Sequence, residues 1–270
     1  MKLGISSWTY TWSIGVAGFP PARPFNVMDL LDRAAMLDVG VLQVADNLPL
    51  DGLAPEQLAA FAARAEELGI EIEAGTRGIQ HEHLRRYLAL ARRLKSKILR
   101  VVIDTPNHHP APREVVELLA PLRAEFEDAG VTLAIENHDR FTSPTLVSII
   151  EKLQPGWVGV CLDTANSFAA LEGTPQTVEI LGPYTVNLHL KDFTIFRNNA
   201  MMGFIIEGRP VGQGRLDVPW LLSRLRAFGR DPNAVLEMWT PPEPALEDTI
   251  AKEQRWAELS IAFLQEAIKH

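Results

Sequence analysis

The chain has one cysteine, Cys161, which excludes an internal disulfide; lying inside an apolar run, it reads as a buried structural thiol. No apolar stretch approaches the ~20 residues that cross a bilayer, and no basic-then-apolar leader precedes the first strand-like run. A soluble, cytoplasmic protein with no membrane partner is the expectation. No block of lysine and arginine is long enough to track a phosphate backbone, and the formal net charge is −8, so nucleic acid is disfavoured as a partner. Nor does any composition break or Pro/Gly/Ser linker divide the chain, and a single domain over residues 1–270 is expected. What is present is 47% hydrophobic residues, enough for a sizeable core, and 22% charged residues, too few for a disordered chain.

The apolar residues fall into short runs at 3–6, 41–45, 70–74, 98–103, 131–135, 157–162, 185–190 and 234–236. These runs are hydrophobic throughout rather than alternating, the pattern of parallel strands buried on both faces. Between them lie segments of helical period. Residues 55–68 place Leu58, Phe61, Ala62, Ala65 and Leu68 on one stripe, and Gly69 supplies the left-handed residue that ends the helix. Residues 81–95, 220–228 and 249–268 repeat the pattern, as do 113–129, where Pro121 must kink the helix or start it late. Eight strands alternating with helices predict an α/β fold, a (β/α)8 TIM barrel of eight parallel strands, with an open doubly wound sheet as the alternative. The interval between 190 and 234 is too long for a simple connection, and 193–215 reads as an insertion in a strand-to-helix loop.

Four of the runs end in a carboxylate or an imidazole. They are Glu136 in Leu-Ala-Ile-Glu-Asn-His, Asp163 in Val-Cys-Leu-Asp-Thr, His189 in Asn-Leu-His-Leu-Lys-Asp, and Glu237 in Val-Leu-Glu-Met-Trp. A buried carboxylate is costly without a partner, and several on one rim repel unless a cation sits between them. Three carboxylates and one imidazole suit Mn²⁺ or Mg²⁺, with Co²⁺ and Zn²⁺ as alternatives.

These motifs, with Asp-Thr-Ala-Asn from Asp163 and Gly-Arg-Pro-Val-Gly-Gln-Gly-Arg-Leu-Asp from Gly208, resemble the xylose isomerase-like TIM barrels. The branch most similar is the sugar phosphate isomerase/epimerase group. The resemblance implies that Glu136, Asp163, His189 and Glu237 bind one divalent metal, with Glu136 and Glu237 moving protons on opposite sides of a substrate. It implies a substrate contact for Arg209, a small carbohydrate or sugar-acid substrate, and a homodimer or homotetramer. Two positions depart from the pattern: Asn166 stands where the family often has histidine, and Gln43, followed by Asp46, where strand two commonly carries glutamate.

Other residues read more weakly. Lys191 shares a strand face with His189 and is placed to stabilise an enolate, the bland alternative being an ion pair with Asp192. His138, two residues beyond Glu136, reads as a proton donor or a neighbour of the site. Trp8, Tyr10 and Trp12 alternate beyond the first strand as an aromatic wall suited to a sugar ring or carbon chain, and plain core packing competes for each. Arg77 and Asn166 complete the substrate-binding candidates. The expected activity is a metal-dependent isomerase or epimerase acting on a small ketose, aldose or sugar acid. The alternative is a carboxy-lyase acting on a 3-oxo sugar acid, since Lys191, Arg209, His138 and Asn166 also resemble the 3-oxo-isoapionate decarboxylase branch.

Overall fold

The computed structural model describes residues 1–269. Eight parallel strands close into a barrel: β1 (Leu3–Ser6), β2 (Val41–Val44), β3 (Glu71–Arg77), β4 (Ile98–Val102), β5 (Thr132–Glu136), β6 (Val158–Asp163), β7 (Thr185–Leu190) and β10 (Ala234–Leu236), the last pairing with both β7 and β1. Closure leaves no free edge in this sheet. The outer faces of the strands carry Val, Ile and Leu at full burial, covered by helices whose apolar stripes face inward. On Pro55–Leu68 that stripe is Leu58, Phe61 and Ala65, and Gly69 ends the helix at φ +69°.

Pro121 breaks the expected helix over 113–129 into Pro112–Leu119, a 3-10 turn at Ala120–Leu122, and Arg123–Ala129. β3 runs three residues past the apolar stretch read from the sequence, carrying Arg77 to the carboxyl rim. The insertion holds two further strands, β8 (Asp192–Arg197) and β9 (Phe204–Arg209), paired as an antiparallel ribbon outside the barrel. Asp192 fastens its base by accepting backbone N–H groups from Phe193, Gly212, Gly214 and Leu216 at 2.7 to 3.0 Å. Gly208 lies so close to Trp239 that a Cβ there would run into the Trp239 carbonyl. The far end of the ribbon is exposed, with Met201, Met202 and Phe204 open to solvent. Among the described residues no helix is long and apolar enough to cross a membrane.

Inside the barrel the side chains form polar tiers rather than a wholly apolar filling. Gln43, Glu73, Cys161 and Asn187 make a lower tier, and all four are buried. Above them, toward the carboxyl ends of the strands, stand Arg100, Glu136, Asp163, His189 and Glu237. The two-residue period of β6 and β7 sets one tier above the other: Cys161 and Asp163, Asn187 and His189, then Lys191.

Candidate metal centre

Glu136 closes β5, Asp163 closes β6, His189 is the penultimate residue of β7, and Glu237 follows β10 directly. One ligand atom from each lies within 4.8 Å of the others, and all four residues are buried. His189 Nδ1 is 3.4 Å from Glu136 Oε2, 3.4 Å from Glu237 Oε1 and 3.9 Å from Asp163 Oδ2. Among the described residues His189 Nδ1 has no hydrogen-bond partner, and Asp163 Oδ2 is met by the Lys191 ammonium at 2.9 Å. An unpartnered imidazole nitrogen facing three carboxylates away from water is an arrangement that a cation relieves. The oxygen-rich donor set with one nitrogen fits a divalent ion.

Two buried cations share the space. Lys191 Nζ lies 2.9 Å from Asp163 Oδ2, 3.2 Å from Glu237 Oε2 and 3.3 Å from Asn166 Oδ1, and 5.0 Å from the centre of the Trp239 ring. Burial alone would favour the neutral amine, but Asp163, Glu237 and Glu136 outweigh it and hold Lys191 as an ammonium, well above its ordinary value. Arg100, on β4, donates through Nε to Glu136 Oε2 and through a terminal nitrogen to Asp46 Oδ1 at 2.6 Å. Asp46 also accepts from Arg77 Nε at 2.9 Å. The second oxygen of Glu136 accepts from Asn166 Nδ2 at 2.7 Å. Burial pushes the Glu136 carboxyl up, yet the Arg100 guanidinium above all, with the Lys191 ammonium, wins and sets it at about 2. Asp46 likewise falls below the carboxylate range, because Arg100 and Arg77 overcome its burial. Asp163 does two jobs: Oδ1 accepts the backbone N–H groups of Ala165 and Asn166 at 2.8 Å, fixing the turn, and leaves Oδ2 toward the cluster.

A family description, xylose isomerase-like TIM barrel, matches residues 31–266. The chain belongs to that family. It is 31% identical to the 3-oxo-isoapionate decarboxylase of Pectobacterium atrosepticum, over 98% of this chain and 95% of that protein. Among solved structures, a D-psicose 3-epimerase crystallised in the presence of D-fructose aligns over 100% of both chains, at a TM-score of 0.75 and 17% identity. A xylose isomerase-like TIM barrel protein from Mycobacterium smegmatis in complex with magnesium aligns over 96% of each chain, at a TM-score of 0.66 and 15% identity. At such identities the structures speak for the shared barrel alone.

In this xylose isomerase-like barrel the other candidates sit at different distances from the cluster. Trp8 and Trp12 line a cavity of about 470 Å³ together with Ile206, Glu207, Met238 and Trp239. Trp12 Nε1 donates to the Thr240 carbonyl at 2.8 Å, whereas Tyr10 is wholly buried in the core. Arg77 reaches Asp46 rather than the four-residue cluster. Arg209 turns back on Glu207 and the Gly208 carbonyl, while His138 pairs with Asp139 at 3.0 Å and also helps to lower the Glu136 carboxyl, after Arg100 and Lys191. The ion pair weighed for Lys191 with Asp192 does not form, since Asp192 is spent on the ribbon base. Arg100 was not legible as a site residue. Its signal was a lone charge inside the apolar run Ile-Leu-Arg-Val-Val.

Proposed function

We propose that this chain is a divalent-metal-dependent carboxy-lyase that removes CO₂ from a 3-oxo sugar acid. One observation carries the choice over isomerisation: each of the two carboxylates available as bases is tied to a buried cation, Glu136 to Arg100 and Glu237 to Lys191. Epimerisation needs a carboxylate on each side of the reacting carbon, each able to take and return a proton near neutral pH. Glu136, with one oxygen on Arg100 and the other on Asn166, is a weak base for that task. Decarboxylation of a 3-oxo acid asks for no base at the α-carbon. The bond to the carboxyl carbon breaks, its electron pair moves toward the 3-oxo oxygen, CO₂ departs, and the α-carbon is then protonated.

The residues supply what that step requires. Glu136, Asp163, His189 and Glu237 would hold a divalent ion, which would supply Lewis-acid chemistry at that place. Lys191 holds a fixed positive charge beside the same cluster, where negative charge develops. Arg100 keeps Glu136 ionised and in place. Trp8, Trp12 and Trp239 wall off water on one side. A substrate carboxylate would share the Lys191 ammonium with Asp163 and Glu237, which a neutral ketose cannot do. The 31% identical relative bears the name of such an enzyme.

The test is the purified protein with Mn²⁺ or Mg²⁺, given a 3-oxo sugar acid and, separately, small ketoses in deuterated water. CO₂ release with label only in the product is expected. Ketose interconversion with label returning to recovered substrate, and no CO₂ from the acid, overturns the proposal in favour of an isomerase.

A further inference from the structure

Beneath the candidate metal centre lies a chain of amides ending on a carboxylate that no cation among the described residues pairs with. Glu73, on β3 and 3% exposed, accepts from Gln43 Nε2 at 3.0 Å and Asn187 Nδ2 at 2.8 Å on one oxygen, and from Asn233 Nδ2 at 2.9 Å on the other. Gln43 Nε2 also donates to Asn187 Oδ1 at 3.0 Å, and Cys161 Sγ lies 3.3 Å from that same oxygen. The direction of this network is forced. A carboxylate meeting three amide donors can only accept, so Gln43 must turn its NH₂ group down toward Glu73. Its carbonyl oxygen then faces up, 2.8 Å from His189 Nε2. An oxygen acceptor at that place requires the ring proton of a neutral His189 to sit on Nε2. The lone pair is left on Nδ1, the buried and unpartnered atom that faces Glu136, Asp163 and Glu237.

The geometry points to Glu73, acting through Gln43, as the positioning residue that fixes the His189 tautomer and so presents Nδ1 as an ion ligand. The inference rests on the metal reading above but not on the reaction. A lone pair aimed at three carboxylates is electrostatically unfavourable by itself; three strands cooperate to impose it, which a site built for a cation needs and an ordinary core histidine does not. Glu73 touches neither substrate nor ion. Its influence runs from β3 through β2 to β7, with Asn187 and Asn233 bracing it from β7 and from the residue before β10.

The experiment reads tautomer and ion affinity, not turnover. In protein carrying ¹⁵N-labelled histidine, long-range proton–nitrogen correlation in mildly alkaline, metal-free buffer is expected to find His189 with its proton on Nε2. Calorimetry with Mg²⁺ or Zn²⁺ gives the ion affinity of the same sample. Gln43→Met removes the acceptor at similar volume and is expected to lose the tautomer bias and weaken ion binding ~10- to 100-fold, the range for partners behind a metal ligand. Glu73→Gln, which can donate and so frees Gln43 to turn, is expected to move both readouts the same way. Gln43→Glu restores an obligate acceptor and is expected to recover the Nε2–H signal even where it lowers the melting temperature. A merely structural network would shift melting without moving the tautomer. An Nδ1–H tautomer in the wild type, or a folded Gln43→Met protein with the Nε2–H signal and wild-type affinity intact, overturns the assignment. A wild type that binds neither ion overturns it through the metal reading instead, and the tautomer signal tells the two failures apart.

Discussion

The two ends of the barrel use the same charged residue types in opposite ways. At the amino ends of the strands a cavity of about 300 Å³ is lined by Lys2, Glu66, Glu71, Arg93 and Lys95. Its ion pairs stand in solvent: in Lys2–Glu71 both side chains keep about half their surface, and in Lys95–Glu66 more than that. At the carboxyl ends Arg100, Lys191, Glu136, Asp163 and Glu237 are each 5% exposed or less. Around the lower cavity water reaches the charges and screens them. The larger of the two cavities, about 470 Å³, is the one beside Trp8, Trp12 and Trp239 at the carboxyl end. Desolvation, which makes each unpaired charge expensive, sets the carboxyl end apart from the amino end.

The sharpest way to break that contrast is to remove a buried partner. Arg100→Met strands Glu136 and Asp46 without their shared cation, and should cost about 3–5 kcal/mol in urea unfolding, the range for breaking a buried pair. Loss of less than a surface pair's worth would place the upper cluster in the same class as the lower one. Lys191→Met addresses function: with metal content unchanged, CO₂ release from a 3-oxo acid should fall by ~10²–10³, as for loss of one preorganised stabiliser. A near-normal rate would remove Lys191 from the chemistry. Asp163→Asn keeps one oxygen for the turn at Ala165 and Asn166 while replacing the oxygen that faces the cluster. The purified variant should retain no divalent ion by elemental analysis, and full occupancy would refute the ligand set.

Glu253 sharpens the comparison as a buried acid that pairs with no cation among the described residues. Burial raises its carboxyl to about 7 from an ordinary 4.5, despite hydrogen bonds from the Ser13 hydroxyl and from the Trp12 and Ser13 backbone. Because the folded value is the higher one, its contribution to stability is greatest below about 4.5 and is lost as pH rises toward about 7, roughly 3 kcal/mol in all. Melting temperature followed across that interval should decline in wild type and stay flatter in Glu253→Gln. Parallel profiles would mean that the acid is ionised throughout. The smallest effect belongs to the lower end: Lys2→Met should change stability by under about 1 kcal/mol in the same urea titration.

Much of this was legible in the chain. The apolar runs gave all eight barrel strands because strands covered on both faces carry continuous hydrophobic sequence, and the four residues that converge were visible as polar endings to such runs. What lay hidden was the polar residue in the middle of a run. Arg100, Glu73 and Asn187 each interrupt a strand, as does Gln43, which was visible only as a departure from the usual glutamate; their meaning depends on which strands face one another across the barrel, information that exists only once the sheet has closed. Arg209 illustrates the opposite failure. Its motif was clear, yet the ribbon that carries it was not, because Phe-Thr-Ile-Phe and Phe-Ile-Ile lack a period that separates a two-stranded extension from a loop. Once those strands pair, Arg209 lies within reach of Glu207.

The ribbon has a consequence for how the chain tolerates damage. Its base is locked by the four amide hydrogens that Asp192 holds and by the close approach of Gly208 to Trp239, whereas its tip around Met201 and Met202 touches little. Amide exchange with solvent should therefore be slow at Gly212, Gly214 and Leu216 and fast a few residues away. A protease that cuts at the tip would sever the backbone without separating the halves, since β7 and β10 remain neighbours in the barrel wall. Insertions of foreign sequence belong at the same place.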